Sequence, residues 1–487
     1  MKKLLSAILA IAMMLSLAII ATSSVSAQSD AWDGFTYSEA FSSGSGTEAD
    51  PYIIMNGNDL YKLSYDATMQ NTYLGTYFKL GDDINLGGNI WTPIGPSSEF
   101  AFSGHFDGNG KTIFNFEVMG HPAGLFGCAT NASFRNIKVD HATILNNSNN
   151  LAGALAAKCS GCTIENIEIG ENVTVGNTFT AKVPQIGGVV GLFTDASSAK
   201  NIINRADIKI ENCTASGFAG GVFGVFGGEA TVDGAINYGD IVYTATEAVD
   251  KDSLNIGGIV GAFGAAKKIG TMKNVINYGN IETVLHGGGI IGRTNAVDGS
   301  NCENAFNLGN VKAGTNADGL ALGGLIVGRG NTSATMKNCV SIAIEGLTYI
   351  GTFAEGNVIG DENSYGTALS ADEMGFIPEF KAITESVPAA MPQWNTVTPD
   401  NYEAPVVPDE TDPEETEPEE TEPEETKPEE TKPEETKPEA TEPTQTPSTD
   451  APGTEKPAEG GCGSVVAGGL AILAVVALAG VALKKRD

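Results

Sequence analysis

The chain has 487 residues and a formal net charge of −32 at pH 7, because 60 Asp and Glu outnumber 28 Lys and Arg. About half of that charge lies in one proline-rich stretch near the carboxyl terminus, so the total says little about binding partners. The composition lacks the basic footprint of a nucleic-acid-binding protein and excludes that class. Seven cysteines are few for a chain of this length and do not indicate a disulfide framework.

The amino terminus has the pattern of an export signal. Two lysines precede an apolar run from Leu4 to Ile20, and Val25-Ser26-Ala27 supplies the small residues that a signal peptidase requires. We therefore predict a signal peptide over residues 1–27. A leader linker is expected over residues 28–46.

Residues 47–122 are predicted to form an amino-terminal cap and the first coils of a repeat domain. The segment from Asn58 to Met69 has apolar side chains at helical spacing and lies between two short extended segments. A stack of repeats exposes strand edges at its ends, and such edges invite aggregation unless they are covered. A short helix is therefore expected at this end of the stack.

Residues 123–362 repeat a pair of sequence elements. An apolar tract opened by two glycines starts at Gly187 and recurs four more times at intervals of 31 to 37 residues. An asparagine-containing element follows it, starting at Ile202, and looser copies bring the total to about seven coils. Units of this length bury their apolar faces by stacking on one another.

Isoleucine, valine and phenylalanine dominate the short apolar runs, and amphipathic periods of helix length are missing. We therefore predict an all-β parallel β-helix, or solenoid, with short capping helices at both ends. Asparagines at one position of each copy are expected to hydrogen-bond to one another and to turn backbone. The residues before them are expected to form an inward apolar ladder. The asparagines are Asn204, Asn237, Asn277 and Asn307, and the ladder is Ile203, Ile236, Ile276 and Phe306.

Residues 363–403 are predicted to form a carboxyl-terminal cap. Ser370 and Glu373 have the spacing of a capping box, so a helix is expected from there toward Thr384. Together with the helix near the amino terminus, it would cover the open strand edges.

The rest of the chain is predicted to be a stalk and a membrane anchor. Residues 404–463 repeat acidic pentapeptides such as TEPEE, in which proline blocks helix and sheet and like charges extend the backbone, so a disordered stalk is expected. Residues 464–483 are uncharged and long enough to cross a bilayer as one transmembrane helix. Residues 484–487 follow as a basic tail, which favours a cytoplasmic position.

The tract TYFKLGDDINLGGNIWTPIG begins at Thr76, and it is followed by FSGHFDGNGKTI from Phe102 and then by the glycine-opened repeats. This order resembles the GLUG-motif surface proteins of bacteria, over residues 47–393. The resemblance implies a parallel β-solenoid on secreted or surface-displayed bacterial proteins. Such proteins include adhesin-like chains and the non-catalytic parts of immunoglobulin A metallopeptidases. The resemblance implies no particular ligand or reaction.

Motifs of the common hydrolase mechanisms do not occur. A zinc peptidase needs HExxH, but none of the histidines is followed by glutamate, so each is interpreted as a turn or surface residue. The GxSxG motif of serine hydrolases is also missing. The segment from Gly104 departs from the spacing of both a phosphate loop and a calcium loop, and we interpret it as a hairpin turn. We expect no cofactor and no metal. The histidines are His105, His121, His141 and His286.

The cysteines are interpreted as apolar packing residues. Cys302 occupies the repeat position that Met272 and Met336 occupy in neighbouring copies. Cys159 and Cys162 have the spacing of a redox pair or half a zinc site, but structural packing or a local disulfide is favoured because no second pair lies close by.

The candidate ligand-contact residues are Arg205, Tyr238 and Tyr278, which follow the asparagine column by one residue and should therefore point outward. Tyrosine rings stack on the apolar faces of sugars, and the arginine could pair with an acidic glycan. Packing of the tyrosines on their own neighbours is the alternative.

Asp207 and Asp240 share a repeat position with Asn280 and Asn310. A pair of carboxylates is what sugar hydrolysis requires, but the alternation of Asp with Asn is typical of a turn. We therefore predict a structural role for this position.

We predict a non-enzymatic cell-surface protein, exported and anchored in the cell membrane by residues 464–483. It would display the solenoid on its stalk and bind an extracellular glycan or another surface ligand, as in adhesion. Two alternatives stay open, namely a polysaccharide lyase or hydrolase built on a β-helix and a purely structural envelope protein.

Overall fold

The predicted parallel β-solenoid is confirmed, with about seven coils, in a computed structural model of the protein. The predicted signal peptide, stalk, transmembrane helix and basic tail lie outside the described residues. None of the helices in the described part is long and apolar enough to cross a membrane. The described ranges are 30–147, 151–177, 184–211, 217–244, 254–265, 269–294, 300–315, 321–330, 334–353 and 368–399.

One sheet has 16 strands and carries the asparagines of the repeat, so we call it the asparagine sheet. Its neighbouring strands run parallel and in register, so that equivalent residues of successive coils lie beside one another. The strands are β1 (Tyr52–Ile54), β2 (Tyr77–Leu80), β3 (Ile84–Ile90), β4 (His105–Gly120), β6 (Ser133–Asn146), β9 (Thr163–Ile169), β10 (Val173–Asn177), β13 (Ser198–Asn204), β14 (Asp207–Glu211), β17 (Thr231–Asn237), β18 (Ile241–Thr244), β21 (Thr271–Asn277), β22 (Ile281–Glu282), β25 (Asn301–Asn307), β26 (Val311–Lys312) and β28 (Thr335–Ser341).

A second parallel sheet has 13 strands and carries the paired glycines, so we call it the glycine sheet. The apolar side chains of the two sheets meet in one continuous core that runs through the coils. The strands are β5 (Phe126–Thr130), β7 (Leu151–Ala152), β8 (Ala156–Ser160), β11 (Gln185–Gly187), β12 (Val190–Thr194), β15 (Gly217–Gly220), β16 (Phe223–Gly227), β19 (Leu254–Gly257), β20 (Val260–Ala265), β23 (His286–Gly288), β24 (Ile291–Thr294), β27 (Gly323–Gly330) and β29 (Thr348–Phe353).

The predicted asparagine column is confirmed. The Nδ2 of Asn237 donates to Oδ1 of Asn277 at 2.9 Å and to the carbonyl of Gly239 at 2.9 Å. The same pair of bonds recurs from Asn204 and Asn277, and all of these side chains are fully buried. Each side-chain amide therefore donates hydrogen bonds both to the asparagine of the next coil and to a carbonyl of its own turn.

A further asparagine column was not predicted. Its members have φ of 51° to 58°, the left-handed conformation that asparagine tolerates best after glycine. Their side chains also form a ladder, in which Asn304 Nδ2 donates to Asn274 Oδ1 and Asn338 Nδ2 donates to Asn304 Oδ1, both at 2.8 Å. The column is Asn136, Asn166, Asn201, Asn274, Asn304 and Asn338, with Gly234 in the remaining coil.

The exposed face of the asparagine sheet carries a column of alternating charges. Glu303, for example, lies between Lys273 and Lys337, and each lysine forms an ion pair with it. In-register parallel strands place equivalent residues about 4.8 Å apart, so identical charges in every coil would repel one another. The column is Lys79, Asp107, Arg135, Glu165, Lys200, Asp233, Lys273, Glu303 and Lys337.

The predicted amino-terminal helix is confirmed as α1 (Gly57–Thr68). Asn56 caps it by accepting a hydrogen bond from the Asp59 backbone at 3.0 Å. Residues 30–46, which the sequence analysis assigned to a leader linker, contribute to this cap. Trp32 is 3% exposed and its ring lies 4.7 Å from that of Tyr61 in α1.

The carboxyl-terminal helix differs from the prediction. The capping box of Ser370 and Glu373 is present and opens α2 (Ala371–Met374), but this helix ends before α3 (Pro378–Ala390) begins. Proline disfavours the helical conformation in the residue before it, and Ile377 is accordingly extended with ψ of 121°. In addition, α3 lies along the flank of the asparagine sheet, against β13, β17, β21 and β25, and does not cover the end of the solenoid.

The apolar ladder that begins at Ile203 was predicted to face inward, and this is wrong. Ile202 points into the solenoid core, so strand alternation directs Ile203 to the outer face. There the ladder is buried by Phe380, Ile383 and Val387 of α3. Strand alternation indicates that the residues before the asparagines share one face of the sheet, but it does not say which face. The column points outward and is nevertheless apolar because α3 covers it.

Two smaller interpretations are also corrected. The segment from Gly104 is not a hairpin turn, because it lies in β4, which pairs in parallel on both sides and bulges between Asp107 and Lys111. His286 is not a surface or turn residue, because it lies in β23 and is 3% exposed.

Candidate functional site

The three predicted ligand-contact residues lie in one column on successive coils. The Tyr238 backbone donates to the Asn204 carbonyl at 2.7 Å, and the Tyr278 backbone donates to the Asn237 carbonyl at 2.8 Å. The two tyrosine rings are parallel, with 1° between their planes and 5.0 Å between their centroids. The Arg205 guanidinium carbon lies 4.5 Å from the centre of the Tyr238 ring, which places a cation on the end of the stack.

The stacking determines what these rings offer to a ligand. Tyr238 has Arg205 on one face and Tyr278 on the other, so its edge and hydroxyl are what solvent reaches. Tyr278 also packs against α3, with its ring 6.5 Å from that of Phe380. Burial and the neighbouring Tyr238 raise the pKa of Tyr278 to about 12. The tyrosine faces are therefore occupied by packing, and a role in binding stays a prediction.

Arg205 also lines a cleft of about 470 Å³ on the flank of the solenoid. One wall is the outer face of the asparagine sheet. The segment that follows α3, residues 391–399, we call the strap, and its residues 391–397 form the opposite wall. Trp394 of the strap faces Glu168 across the cleft, and its Nε1 donates to Glu168 Oε2 at 3.1 Å.

Charged side chains of both signs lie on the sheet side of the cleft. The Lys138 Nζ is 3.4 Å from Asp140 Oδ2 and 3.6 Å from Glu168 Oε1. The Arg205 Nε lies 3.7 Å from the same Glu168 oxygen. Asp140 and Glu168 are 7% and 9% exposed, so these carboxylates are held inside the cleft and do not extend into solvent.

His141 stands at the edge of this group, with its Nδ1 3.4 Å from Asp140 Oδ1. Burial lowers the pKa of His141, the Asp140 carboxylate opposes that shift, and the Lys138 ammonium adds to it. The imidazole therefore favours its neutral form more than an exposed histidine does.

The repeat itself explains how the charged cleft adjoins the apolar ladder. Lys138, Glu168 and Ile203 pair in register on successive coils, so they belong to a single outward column. Where the column is apolar, α3 covers it. Where the column is charged, the strap crosses it, and the cleft lies between the strap and the sheet. The strap then reaches the first coils, where Asn395 Nδ2 donates to Asp83 Oδ2 at 2.7 Å.

Three residues of the cleft, Lys138, Glu168 and Trp394, were not predicted as site residues. A signal was present, since two early copies, NIKVD from Asn136 and NIEIG from Asn166, carry charged residues where later copies carry isoleucine, phenylalanine or valine. The partnership with Trp394 had no local signal, because 226 positions separate the indole from Glu168.

The remaining predicted positions have structural roles. Asp207 Oδ1 accepts from the Asp240 backbone at 3.0 Å, and Asp240 Oδ1 accepts from the Asn280 backbone at 2.7 Å, which confirms the turn interpretation. Cys302 stacks in register between Met272 and Met336 and is fully buried. Cys159 and Cys162 are also buried, as free thiols. Within the described ranges, no group of three or more His, Cys, Asp or Glu is placed to hold a metal ion.

The fold and its stacked columns define a parallel β-solenoid repeat protein with a lateral cleft. No family model matches the chain. The chain is similar to halomucin of Haloquadratum walsbyi, with 31% identity over 160 residues; the match covers 30% of this chain and 2% of halomucin. A crystal structure of a "putative immunoglobulin A1 protease" from Bacteroides ovatus aligns with 22% identity and a TM-score of 0.44, covering 69% of this chain and 88% of that one.

Proposed function

We propose that this chain is a cell-surface protein that uses the flank of its solenoid to bind an extracellular glycan. The observation that carries the proposal is the cleft beside the Arg205 stack, where buried carboxylates, two cations and an indole converge on a space of about 470 Å³. Volumes of about 300–1,000 Å³ with a few convergent polar groups are typical of small-ligand sites.

A surface location is part of the proposal. The predicted signal peptide, acidic stalk and apolar segment of residues 464–483 support it, and so does the similarity to halomucin over 160 residues. Protease treatment of intact cells tests the location, because a displayed solenoid is cleaved or released while a cytoplasmic marker stays intact. Full protection of the solenoid in intact cells, with digestion after lysis, contradicts the proposal.

The binding function is tested on a glycan array with the protein truncated after Val407, where its first compact unit ends. We expect reproducible binding to a small set of glycans that is lost after heat denaturation. A double variant, Tyr238→Ala with Tyr278→Ala, tests whether the two tyrosines contribute to glycan binding. Unchanged binding by that variant excludes the column, and absence of binding to every glycan favours a structural envelope protein.

The alternative of a polysaccharide-degrading enzyme would also use residues of the cleft. Asp140 and Glu168 both approach the Lys138 ammonium, and paired carboxylates are what glycoside hydrolysis uses. Incubation with a broad polysaccharide panel, with and without calcium, tests this alternative. Chain cleavage that disappears in a Glu168→Gln variant would replace the non-enzymatic proposal, whereas binding without cleavage supports it.

A further inference from the structure

We infer that the cleft is a binding site for one neutral sugar residue, and that the strap completes it. This inference rests on the proposed function and adds the chemical class of the ligand and its contacts. The groups that define the site are Lys138, Asp140, Glu168, Arg205 and Trp394.

The first argument is the length of the ion pairs. Hydrogen bonds between nitrogen and oxygen measure about 2.7–3.2 Å, whereas the three pairs in the cleft measure 3.4, 3.6 and 3.7 Å. The charges attract one another, but their donors and acceptors do not meet at hydrogen-bond distance. A hydroxyl group can therefore approach beside a pair and bond to both members at short distance, in addition to the bonds that Glu168 accepts from Trp394 and Asp140 accepts from the His141 backbone.

The second argument is the chemistry of those side chains. Ionised carboxylates only accept hydrogen bonds, and ammonium and guanidinium groups only donate them. A hydroxyl group does both, so neighbouring hydroxyls on a sugar ring can donate to Asp140 or Glu168 and accept from Lys138 or Arg205. The cleft thus matches a ligand with several adjacent hydroxyls.

The third argument is charge. Three carboxylates line the cleft, those of Asp140, Glu168 and Glu171, against the two cations Lys138 and Arg205. An acidic sugar would bring a further negative charge close to these carboxylates, two of which are at most 9% exposed. A neutral sugar avoids this repulsion, which distinguishes the inference from the acidic glycan that Arg205 alone suggests.

The strap supplies the remaining wall. Trp394 is held in place by its hydrogen bond to Glu168, and its indole gives the cleft an apolar surface beside the charged groups. Sugars combine hydroxyl edges with apolar ring faces, and an indole that is anchored through its N–H offers its ring for contact. Loss of the strap would leave Glu168 without this partner and the cleft without a second wall.

The test uses the full chain labelled with 5-fluorotryptophan. Its three tryptophans give three fluorine resonances, and Trp394→Phe assigns the one in the cleft. Trp32 and Trp91 are 3% and 1% exposed in the amino-terminal cap and serve as internal controls. The probes are methyl glucoside, methyl galactoside and methyl mannoside, compared with glucuronate and galacturonate.

We expect at least one neutral glycoside to shift the Trp394 resonance and to leave the other two unchanged. Glu168→Gln should weaken that binding by about tenfold or more, because it removes a charged acceptor while preserving shape. The matched control Glu282→Gln, an exposed carboxylate paired with Lys312, should bind as the unaltered chain does. Circular dichroism confirms that both variants are folded.

Three results overturn the inference. They are tighter binding of the uronates than of the neutral glycosides, no shift of Trp394 with any probe, and unchanged affinity in Glu168→Gln. If the array finds a glycan that Glu168→Gln and Trp394→Phe still bind normally, this site is wrong but the proposed function stands. If no glycan binds at all, both are wrong.

Discussion

Gly258, in the bend between β19 and β20, lies directly against Asn277 at the end of β21, so close that a Cβ on the glycine would stand 2.4 Å from Asn277 Cγ. The same contact recurs between Gly221 and Asn237. In the first four pairs the second glycine thus makes room for the asparagine ladder, which explains why the two repeat elements occur together there.

Replacing Gly258 with alanine should therefore destabilise the solenoid. The new methyl group would meet both the Asn277 side chain and the carbonyl oxygen of Gly289, which lies 2.1 Å from the Cβ position. Overpacking of this kind costs about 1–3 kcal/mol. Thermal unfolding measures the loss, with Gly120→Ala as control because a Cβ there meets nothing within 4 Å. Equal melting temperatures for the two variants would contradict this account.

The asparagine ladder gives a second prediction. Asn277→Ala removes the donor to the Gly279 carbonyl and to Asn307 Oδ1, and it also removes one acceptor of Asn237 Nδ2, all inside the core. Each unsatisfied buried group costs about 1–3 kcal/mol, so the unfolding free energy should fall by at least this amount. Asn280→Ala is the control, since that side chain is exposed and water can replace it. Chemical denaturation compares the two, and a loss as large in the control would count against the ladder.

Much of this architecture follows from the sequence. The repeat period, the parallel strands, the Asn204 column and the helix at Asn58 are all local patterns, and the structure confirms them. The direction of the Ile203 ladder does not follow, because alternation gives two faces and does not say which is covered. The covered face is decided by α3, which runs back along the flank of the solenoid. The strap that follows α3 then brings Trp394 to Glu168 and so forms the cleft. Contacts between distant segments are what a local pattern omits.

The apolar ladder depends on α3 for its burial, which makes Phe380 a test of the correction. Phe380 is 8% exposed and its ring lies 5.5 Å from that of Phe306. Phe380→Ala should lower the unfolding free energy by about 3–5 kcal/mol and increase binding of a hydrophobic dye as the ladder becomes exposed. Phe376→Ala is a close control, because that side chain is 86% exposed. Similar effects of the two changes would mean that α3 does not cover the ladder.

Titration with base should reveal the packing of Tyr278. Because its folded-state pKa is raised to about 12, from an ordinary value of 10.0, folding favours the neutral phenol. The contribution of this group to stability is therefore complete below pH 10 and is lost as the pH rises toward 12. The difference in tyrosinate absorbance between the unaltered chain and Tyr278→Phe should show one group that titrates late. A difference spectrum with its midpoint near pH 10 would indicate that Tyr278 is not buried.

The charge column predicts that two different substitutions of Glu303 have different effects on stability. Glu303→Gln removes the carboxylate between Lys273 and Lys337, whereas Glu303→Lys places three cations in a row on adjacent strands. Like charges opposite one another destabilise a sheet, so the lysine variant should melt below the glutamine variant, and added salt should narrow the difference between their melting temperatures.

The same carboxylate gives a prediction of pH dependence. The hydrogen bond from Lys337 lowers the pKa of Glu303, so the stabilisation by the carboxylate is present above its ordinary pKa of 4.5. It should be lost as the pH falls through the lowered folded-state value, and melting curves of the unaltered chain and Glu303→Gln should converge there. Curves that stay equally far apart at every pH would show that the alternation of charge does not stabilise the stack.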